Sequence, residues 1–243
     1  LEGEEEEVRG PVVWLVGLTY RWTDRRSELG YHEALSNISC SFPYGQLNGV
    51  LGAEGSGKSS LLHIIAGQFK PNTVQGSVLF NGKGIDFSVQ APWEVCGFIE
   101  AVDNSFRDLS VKEVLTYAMK LRCADEQTAK IVDLNVKKTL DLLKLTAHAG
   151  IKIKKLHPGR QRCVAIAEEI VHGPNVILMD EPVTGLGLKY TKIIMNNVLK
   201  ELANQGRTVI TTIHQPTSSI FQLYDTLAIL SKGRLVYVGA ANE

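Results

Sequence analysis

Cysteine is scarce in this sequence, and none of the four cysteines stands in a Cys-x-x-Cys pair. That scarcity argues against a disulfide framework and against a zinc site, so we expect small buried hydrophobic cysteines in a reducing compartment. Net charge is also absent, because 26 basic residues balance 26 acidic ones. Bulk electrostatics therefore give no reason to expect a nucleic-acid partner.

Long apolar runs are missing as well. No stretch approaches the roughly 18 apolar residues of a membrane span, and no signal peptide or internal repeat is visible. The sequence starts with Leu1 rather than Met, which suggests a segment of a longer protein, so spans could lie outside it. The acidic run at residues 4–7 predicts a flexible lead-in over residues 1–11.

What the sequence does have is enough apolar residues for a substantial core. A chain of 243 residues that is 44% hydrophobic predicts one large α/β domain, or a core with a subdomain. Apolar periodicity predicts strands over residues 12–20, 35–42, 76–80, 95–99, 208–213, 226–230 and 235–238, and helices over 109–123, 125–145, 160–171, 189–205 and 218–224. Residues 21–33 are polar and are expected to form a hairpin or loop.

The most informative stretch is residues 48–67, in which a glycine-rich loop separates two apolar runs. Val50 and Leu51 predict a short buried strand, and the run from Leu61 predicts a helix that ends near Gly67. The loop fits the P-loop (Walker A) phosphate-binding pattern at every fixed position. Its residues are Gly52, Ala53, Glu54, Gly55, Ser56, Gly57, Lys58 and Ser59, with Ser60 next in the helix.

The residue types in this loop suit a polyphosphate. Glycines let backbone N–H groups curl around the phosphates, and the helix N-terminus adds partial positive charge. Lys58 can reach the β- and γ-phosphates, and the Ser59 hydroxyl can ligate Mg²⁺. We therefore predict a nucleoside triphosphate site, the alternative being a plain glycine-rich turn before a helix.

A second chemical stretch covers residues 176–181. Four consecutive apolar residues are typical of a strand buried on both faces of a parallel sheet, and Asp180 and Glu181 follow at its C-terminal end, where α/β sheets place ligands. Asp180 would hold Mg²⁺ through water, and Glu181 would orient or deprotonate the attacking water. The alternative is a pair of acidic residues that cap the strand before Pro182.

Histidine and aromatic residues supply two further candidates. His214 follows the predicted core strand over residues 208–213, so we expect it to contact the γ-phosphate rather than to be purely structural. Tyr20 or Trp22 could stack on an adenine ring, and an ordinary strand aromatic is the equal alternative.

The order of these features resembles the nucleotide-binding domain of ABC transporters across nearly the whole chain: P-loop, helical insert, Asp-Glu strand, then His at a strand end. Stretches typical of the G subfamily, the White and breast-cancer-resistance type, are residues 35–38, 206–210, 214–216, 219–221 and 233–237. The resemblance implies an α/β P-loop NTPase core with a mostly parallel sheet, an N-terminal antiparallel β subdomain and a helical insert. It implies an ATP-binding domain over residues 12–243, with a helical subdomain at about 105–172.

The same resemblance implies a function. In that family the domain precedes a transmembrane domain at the cytosolic face of the plasma membrane or an internal membrane, and two such domains close head to tail around two ATP molecules. The chain would then be the ATPase motor of an exporter of lipids, sterols or other hydrophobic compounds, with ATP and Mg²⁺ and with Lys58, Glu181 and His214 in the chemistry. A soluble ABC protein, a small-molecule kinase and a GTPase fit the pattern less well.

Three family motifs depart from their usual sequence. The signature, normally Leu-Ser-Gly-Gly before Gln or Glu, falls on residues 156–160, where His157 replaces the serine and Pro158 a glycine. The expected glutamine falls on Ala101, and the expected aspartate falls on Gly187. The signature serves the partner's half of a site, so we expect very low activity of the isolated domain. A partner with an intact signature would complete the site, in a heterodimer or a full transporter. Ala101 belongs to this chain's own half and counts against that interpretation, and a non-hydrolysing regulatory subunit is the alternative.

Overall fold

The structure is a computed structural model that describes residues 11–23, 30–69, 73–84, 96–101, 105–122 and 129–241. Nearly all of the predicted acidic lead-in lies outside these residues, as do residues 95, 123 and 125–128 of predicted elements.

Ten strands and seven α-helical segments are present in the described part of the chain. The strands are β1 (Val13–Thr23), β2 (Tyr31–Phe42), β3 (Leu47–Gly52), β4 (Val74–Phe80), β5 (Lys83–Gly84), β6 (Cys96–Ile99), β7 (Val176–Met179), β8 (Thr208–Ile213), β9 (Thr226–Ser231) and β10 (Arg234–Ala240). The helices are α1 (Lys58–Ile65), α2 (Val111–Arg122), α3 (Ala129–Leu142), α4 (Pro158–Ile170), α5 (Leu188–Lys192), α6 (Glu201–Asn204) and α7 (Ser218–Phe221).

The strands form two sheets of different kinds. One is antiparallel, in the order β2-β1-β4-β5. The other has the order β10-β9-β3-β8-β7-β6, in which every neighbouring pair except β10–β9 is parallel. The predicted combination of a mostly parallel sheet and an N-terminal antiparallel unit is therefore confirmed.

Two hydrophobic clusters lie on opposite faces of the parallel sheet. Val176 and Leu178 of β7 belong to the cluster that includes α1 and the antiparallel sheet. Ile177 and Met179, between them in sequence, belong to the cluster formed with the other helices. Because the side chains of a strand alternate between its faces, a strand covered on both faces needs the unbroken apolar run that this stretch shows.

Of the elements described between β6 and β7, three are α-helices and two are short 3₁₀ turns, Thr146–His148 and Ile153–Lys155. The first of these helices, α2, begins with a capping box. The Ser110 N–H donates to a Glu113 carboxylate oxygen at 2.8 Å, and the Glu113 N–H donates to the Ser110 hydroxyl at 3.4 Å. Such reciprocal bonds satisfy donors that the first helical turn leaves unpaired.

Some predicted boundaries are wrong. The predicted strands over 12–20 and 35–42 are too short, because β1 runs to Thr23 and β2 starts at Tyr31. These two strands pair antiparallel with Arg21 opposite Glu33, so the hairpin expected for residues 21–33 is confirmed in the described part of that stretch. The predicted helix over 189–205 contains a π-helical segment, Ile193–Lys200, between α5 and α6. The predicted helix over 218–224 ends at Phe221, and Tyr224 is buried with its hydroxyl 2.7 Å from the Thr211 hydroxyl. Among the described residues, no helix has both the length and the apolar content that a membrane crossing requires.

Candidate functional site

The predicted P-loop connects β3 to α1 and folds around its own lysine. The Lys58 ammonium donates hydrogen bonds to the carbonyl oxygens of Gly52 at 2.8 Å and Ala53 at 2.9 Å. The Lys58 residue is only 6% exposed. The loop therefore holds a positive charge at its centre, bonded to neutral carbonyl groups.

Two glycines in this loop have no room for a side chain. A Cβ on Gly52 would lie 2.4 Å from the Ser56 hydroxyl oxygen. A Cβ on Gly57 would lie 2.7 Å from the Ala34 carbonyl oxygen of β2, and Gly57 has a φ of 99°, in the left-handed region that favours glycine. The loop is thus packed against β2 as well as against itself.

The Ser56 side chain is the best local indicator of a ligand. It is 3% exposed, and its hydroxyl has no hydrogen-bond partner among the described residues. A buried hydroxyl without a partner is costly, and a phosphate oxygen beside it would remove that cost. Ser59, in contrast, is exposed in the first turn of α1, where a metal ion can reach it. The loop residues therefore fit a polyphosphate with its metal.

The two carboxylates predicted after residue 179 do follow the end of β7. Asp180 is 8% exposed, and its carboxylate accepts a hydrogen bond from the Thr212 hydroxyl at 2.6 Å. The same hydroxyl accepts the Glu181 N–H at 2.9 Å. Thr212, on β8, therefore ties the two acidic residues to the neighbouring strand.

Glu181 has an unusual backbone conformation. Its φ is 46°, a left-handed value that costs a residue with a Cβ about 1–2 kcal/mol. Gln215, which follows His214 after β8, has the same φ of 46°. His214 is exposed. The chain therefore takes a left-handed turn at Glu181 after β7 and beside His214 after β8. Glu181 and His214 line the same cavity of about 400 Å³.

The P-loop and these residues lie at one edge of the sheet. β3, β8 and β7 are adjacent and parallel, with Leu51 opposite Ile213 and Met179 opposite Thr211. The loop after β3, the carboxylates after β7 and His214 after β8 therefore leave the same C-terminal edge, where parallel sheets bind ligands.

The aromatic candidates form a row on the antiparallel sheet. The ring centroids of Tyr20 and Trp22 are 5.4 Å apart, and those of Trp22 and His32 are 4.5 Å apart. Tyr20 pairs with Leu35, and the Leu35 side chain is 2.7 Å from where a Gly57 Cβ would be. The row is therefore one strand away from the P-loop, and the choice between Tyr20 and Trp22 stays open.

The altered signature still begins a well-formed helix. His157 is the N-cap of α4, and its Nδ1 atom accepts the Gly159 N–H at 3.2 Å. Pro158 occupies the first helical position, where the missing N–H costs nothing. The His157 ring stacks on the Tyr190 ring with a centroid distance of 5.2 Å. A Cβ on Gly159 would lie 2.2 Å from the Tyr190 ring, so Gly159 leaves room for that ring.

The other two altered motifs are in exposed positions. Ala101 is exposed after β6, and residues 102–104, which follow it, lie outside the described part of the chain. Gly187 is the N-cap of α5 and contributes no side-chain hydrogen bond there. An aspartate at that position would be a good cap, so its loss removes both a carboxylate and a capping group.

Sequence reasoning missed two residues that contact this site. Thr212 bonds to both Asp180 and Glu181, and the polar threonines within the otherwise apolar β8 were the signal for it. Arg162, buried on α4, donates to backbone carbonyl groups beside the same carboxylates. The sequence feature that could have pointed to Arg162 is a basic residue at a position of α4 where the other buried residues are apolar.

Residues 35–184 match the family model described as ABC transporter. This chain belongs to the ABC transporter family. It is 34% identical over 216 residues to ABC transporter G family member 22 of Arabidopsis thaliana, covering 87% of this chain and 28% of that protein. It is 34% identical over 218 residues to the broad substrate specificity ATP-binding cassette transporter ABCG2 of Bos taurus, covering 87% and 32%. The predicted G subfamily is confirmed, and this ABC domain spans about a third or less of these relatives.

Solved ABC structures have the same fold. CbiO1 from Clostridium perfringens, part of the ABC transporter complex cbiONQ, gives a TM-score of 0.82 at 23% identity, covering 96% of this chain and 90% of that one. A dimeric ATP-binding cassette in a post-hydrolysis state, bound to ADP and Pi, gives 0.79 at 22% identity, covering 94% and 98%. At such identities the likeness concerns the fold alone, and it confirms the predicted P-loop NTPase architecture. The chain is thus an ATP-binding domain of the G subfamily.

Proposed function

We propose that this ABC domain is the ATP-binding and ATP-hydrolysing motor of a membrane exporter of lipids, sterols or other hydrophobic compounds. The observation that carries the proposal is the common edge of β3, β8 and β7. A phosphate-binding loop, a pair of carboxylates and a histidine leave that edge together. Together these groups could bind a triphosphate, hold its Mg²⁺ and orient the attacking water, which phosphoryl transfer to water needs.

ATP would be held by residues 52–60. The Lys58 ammonium is bonded to two carbonyl groups and would exchange them for phosphate oxygens, which are stronger acceptors because they are charged. The buried Ser56 hydroxyl would gain its missing partner. Ser59 and Asp180 would hold Mg²⁺, which neutralises phosphate charge when bound. Tyr20, or Trp22 beside it, would stack on the adenine.

Hydrolysis would use Glu181 as the base. Its carboxylate would accept the proton of the attacking water, while His214 would donate a hydrogen bond to the γ-phosphate. Lys58 would stabilise the negative charge that develops on the transferred phosphoryl group. The strained backbone at Glu181 supports a functional role, because such conformations persist only where surrounding contacts enforce them.

The domain would work within a larger assembly. We propose that residues 12–243 form the ATP-binding domain, that residues 105–172 form its helical subdomain, and that residues 1–11 are a flexible lead-in. Its partners would be a transmembrane domain, in the same or another polypeptide, and a second nucleotide-binding domain, which would place it at the cytosolic face of a membrane. The relatives that it matches are about three times longer or more, which supports this arrangement.

The second domain would carry an intact signature. In a pair of identical chains, both sites would face His157 and Pro158 and would lack the serine hydroxyl and one backbone N–H. Losing one preorganised donor typically costs about 2.7–4 kcal/mol of transition-state stabilisation. Two losses should leave almost no turnover, so we expect very low ATPase activity from this domain alone.

The test is ATP turnover of the purified chain measured against its concentration, with Glu181→Gln as the control that retains shape but lacks the base. We expect negligible turnover from the wild type, and an increase when His157→Ser and Pro158→Gly are combined. Strong turnover that rises with concentration and is absent in Glu181→Gln would contradict the need for a partner with an intact signature.

A non-hydrolysing regulatory subunit of a transporter is the second candidate. Ala101 and Gly187 favour it, since both belong to motifs outside the signature and both lack the expected polar side chain. This candidate predicts tight ATP binding with no turnover, even beside a competent partner. Turnover at the site of Lys58 and Glu181 in a mixed pair would exclude it.

A further inference from the structure

Arg162 is a buried cation that reaches the ends of two neighbouring strands. It lies on α4 and is 5% exposed. Its guanidinium donates to the carbonyl oxygens of Glu100 at 2.7 Å, Asp180 at 3.2 Å and Pro182 at 3.3 Å. Glu100 follows β6, and the other two residues follow β7, so one side chain ties both strand ends to the helix.

Two of these carbonyl groups flank Glu181, the residue with the strained backbone. Arg162 therefore holds the chain on both sides of the left-handed residue, while the Thr212 hydroxyl accepts the Glu181 N–H at 2.9 Å. An arginine suits this task because its planar fork of donors stays charged and keeps a fixed geometry when buried. Lysine carries all three of its donors on one nitrogen atom, so it matches three acceptors spread over two strand ends less well.

We propose that Arg162 is a positioning residue for ATP hydrolysis, which holds the turn that orients Glu181. This rests on the proposed role of Glu181 as the base. Arg162 does not touch the reacting atoms and acts through the backbone of residues 180–182. Because Arg162 sits on the helix that starts at the altered signature, the same side chain links that helix to the hydrolytic turn.

The first test measures ATP turnover in the transporter that contains this chain. Arg162→Met keeps an unbranched apolar side chain similar to the arginine stem and removes the guanidinium donors. We expect kcat to fall about 10²-fold, the size of loss that a misplacement of about 1 Å can cause, while KM for ATP stays near its wild-type value. Arg162→Lys should restore part of kcat. In a Glu181→Gln background, Arg162→Met should cause little further loss, because residues that act as a unit are not additive.

The matched control is Arg122→Met. The Arg122 guanidinium also donates to a backbone carbonyl of the same helix, that of Glu168, at 2.9 Å. It forms an ion pair with Glu169, and within the described part of the chain no hydrogen bond joins it to residues 180–182. Its loss should leave kcat and KM unchanged. Equal losses in kcat for both arginine variants, or an equal loss from Arg162→Met with and without Glu181, would overturn the proposal.

The second test does not depend on catalysis. Amide exchange followed by NMR should show faster exchange at Glu181 and Thr184 in Arg162→Met, with Leu61 of α1 unchanged as an internal reference. Unchanged exchange at Glu181 would show that Arg162 does not hold the backbone of residues 180–182, and would overturn the proposal. Normal turnover of Glu181→Gln would instead overturn the proposed function, and with it the hydrolytic role of Arg162. If Arg162→Met does not fold, ATP turnover and amide exchange are both measured on Arg162→Lys instead, and smaller changes in the same directions are expected.

Discussion

Glu181 should make the protein less stable than a glycine at the same position would. Its φ of 46° costs a residue with a Cβ about 1–2 kcal/mol, whereas glycine adopts that conformation freely. Compared with alanine, glycine in turn lowers the free energy of unfolding by about 0.4–1 kcal/mol, because the unfolded chain has more conformational freedom. The difference leaves Glu181→Gly about 1 kcal/mol more stable than Glu181→Ala. Both variants lack the carboxylate, so the comparison isolates the backbone.

Thermal unfolding followed by circular dichroism measures this difference. For a domain of this size, about 1 kcal/mol corresponds to about 2–4 °C in Tm. Lys192 provides a control of the opposite sign, since it is exposed and has helical angles, φ −62° and ψ −42°. There the glycine variant should be less stable than the alanine variant by up to about 1 kcal/mol.

The reasoning fails if Glu181→Gly melts at or below Glu181→Ala while the Lys192 pair behaves as expected. The turn would then carry no strain in solution, and the bonds from Arg162 and Thr212 would have nothing to enforce. If the strain is real, the site gives up stability for the orientation of one carboxylate, as active sites commonly do.

Three further outcomes are expected. Lys58→Ala should weaken binding of Mg²⁺-ATP several-fold or more in calorimetry, because it removes the cation at the centre of the loop; unchanged affinity would contradict the ATP site. Gly187→Asp should be tolerated and raise the free energy of unfolding by about a few tenths of a kcal/mol, since a side chain there meets open space and can cap α5. Burial raises the pKa of Cys96 to about 12, above its unfolded value. Its contribution to stability should be complete below about pH 8.5 and decline as pH rises towards 12. Urea unfolding at pH 8 and 10.5 measures this in the wild type and in Cys96→Ala. The free energy of unfolding should fall less between the two pH values in the variant than in the wild type.

Local patterns predicted most of the individual elements. An unbroken apolar run predicted that β7 is buried on both faces, and the P-loop pattern predicted the turn from β3 into α1. Such predictions succeed because the period of the apolar residues and the glycines of a turn act over a few neighbouring residues. The polar composition of residues 21–33 predicted a hairpin or loop but made the two flanking strands too short, because cross-strand pairing, such as Arg21 with Glu33, supports strands that composition alone disfavours.

The contacts within the site could not be predicted in this way. Thr212 is 32 residues from Asp180, and Arg162 is 62 residues from Glu100. Only the order of the strands in the sheet brings these pairs together, and that order depends on long-range pairing that no local pattern encodes. The sequence therefore predicted which residues could carry the chemistry, while the residues that hold them emerged only from the fold.

The altered signature illustrates how a motif can lose its usual chemistry while its structural role persists. His157 accepts the Gly159 N–H as a serine cap would, and Pro158 stands at the one helical position that needs no N–H. The helix therefore starts normally, and the stacking of His157 on Tyr190 adds a contact that a serine could not make. What the two substitutions change is the exposed surface at the helix start, where a hydroxyl and a backbone donor are missing. The two substitutions therefore leave folding of the helix intact, and under the proposed function their effect would lie in how this surface meets a partner domain and its nucleotide.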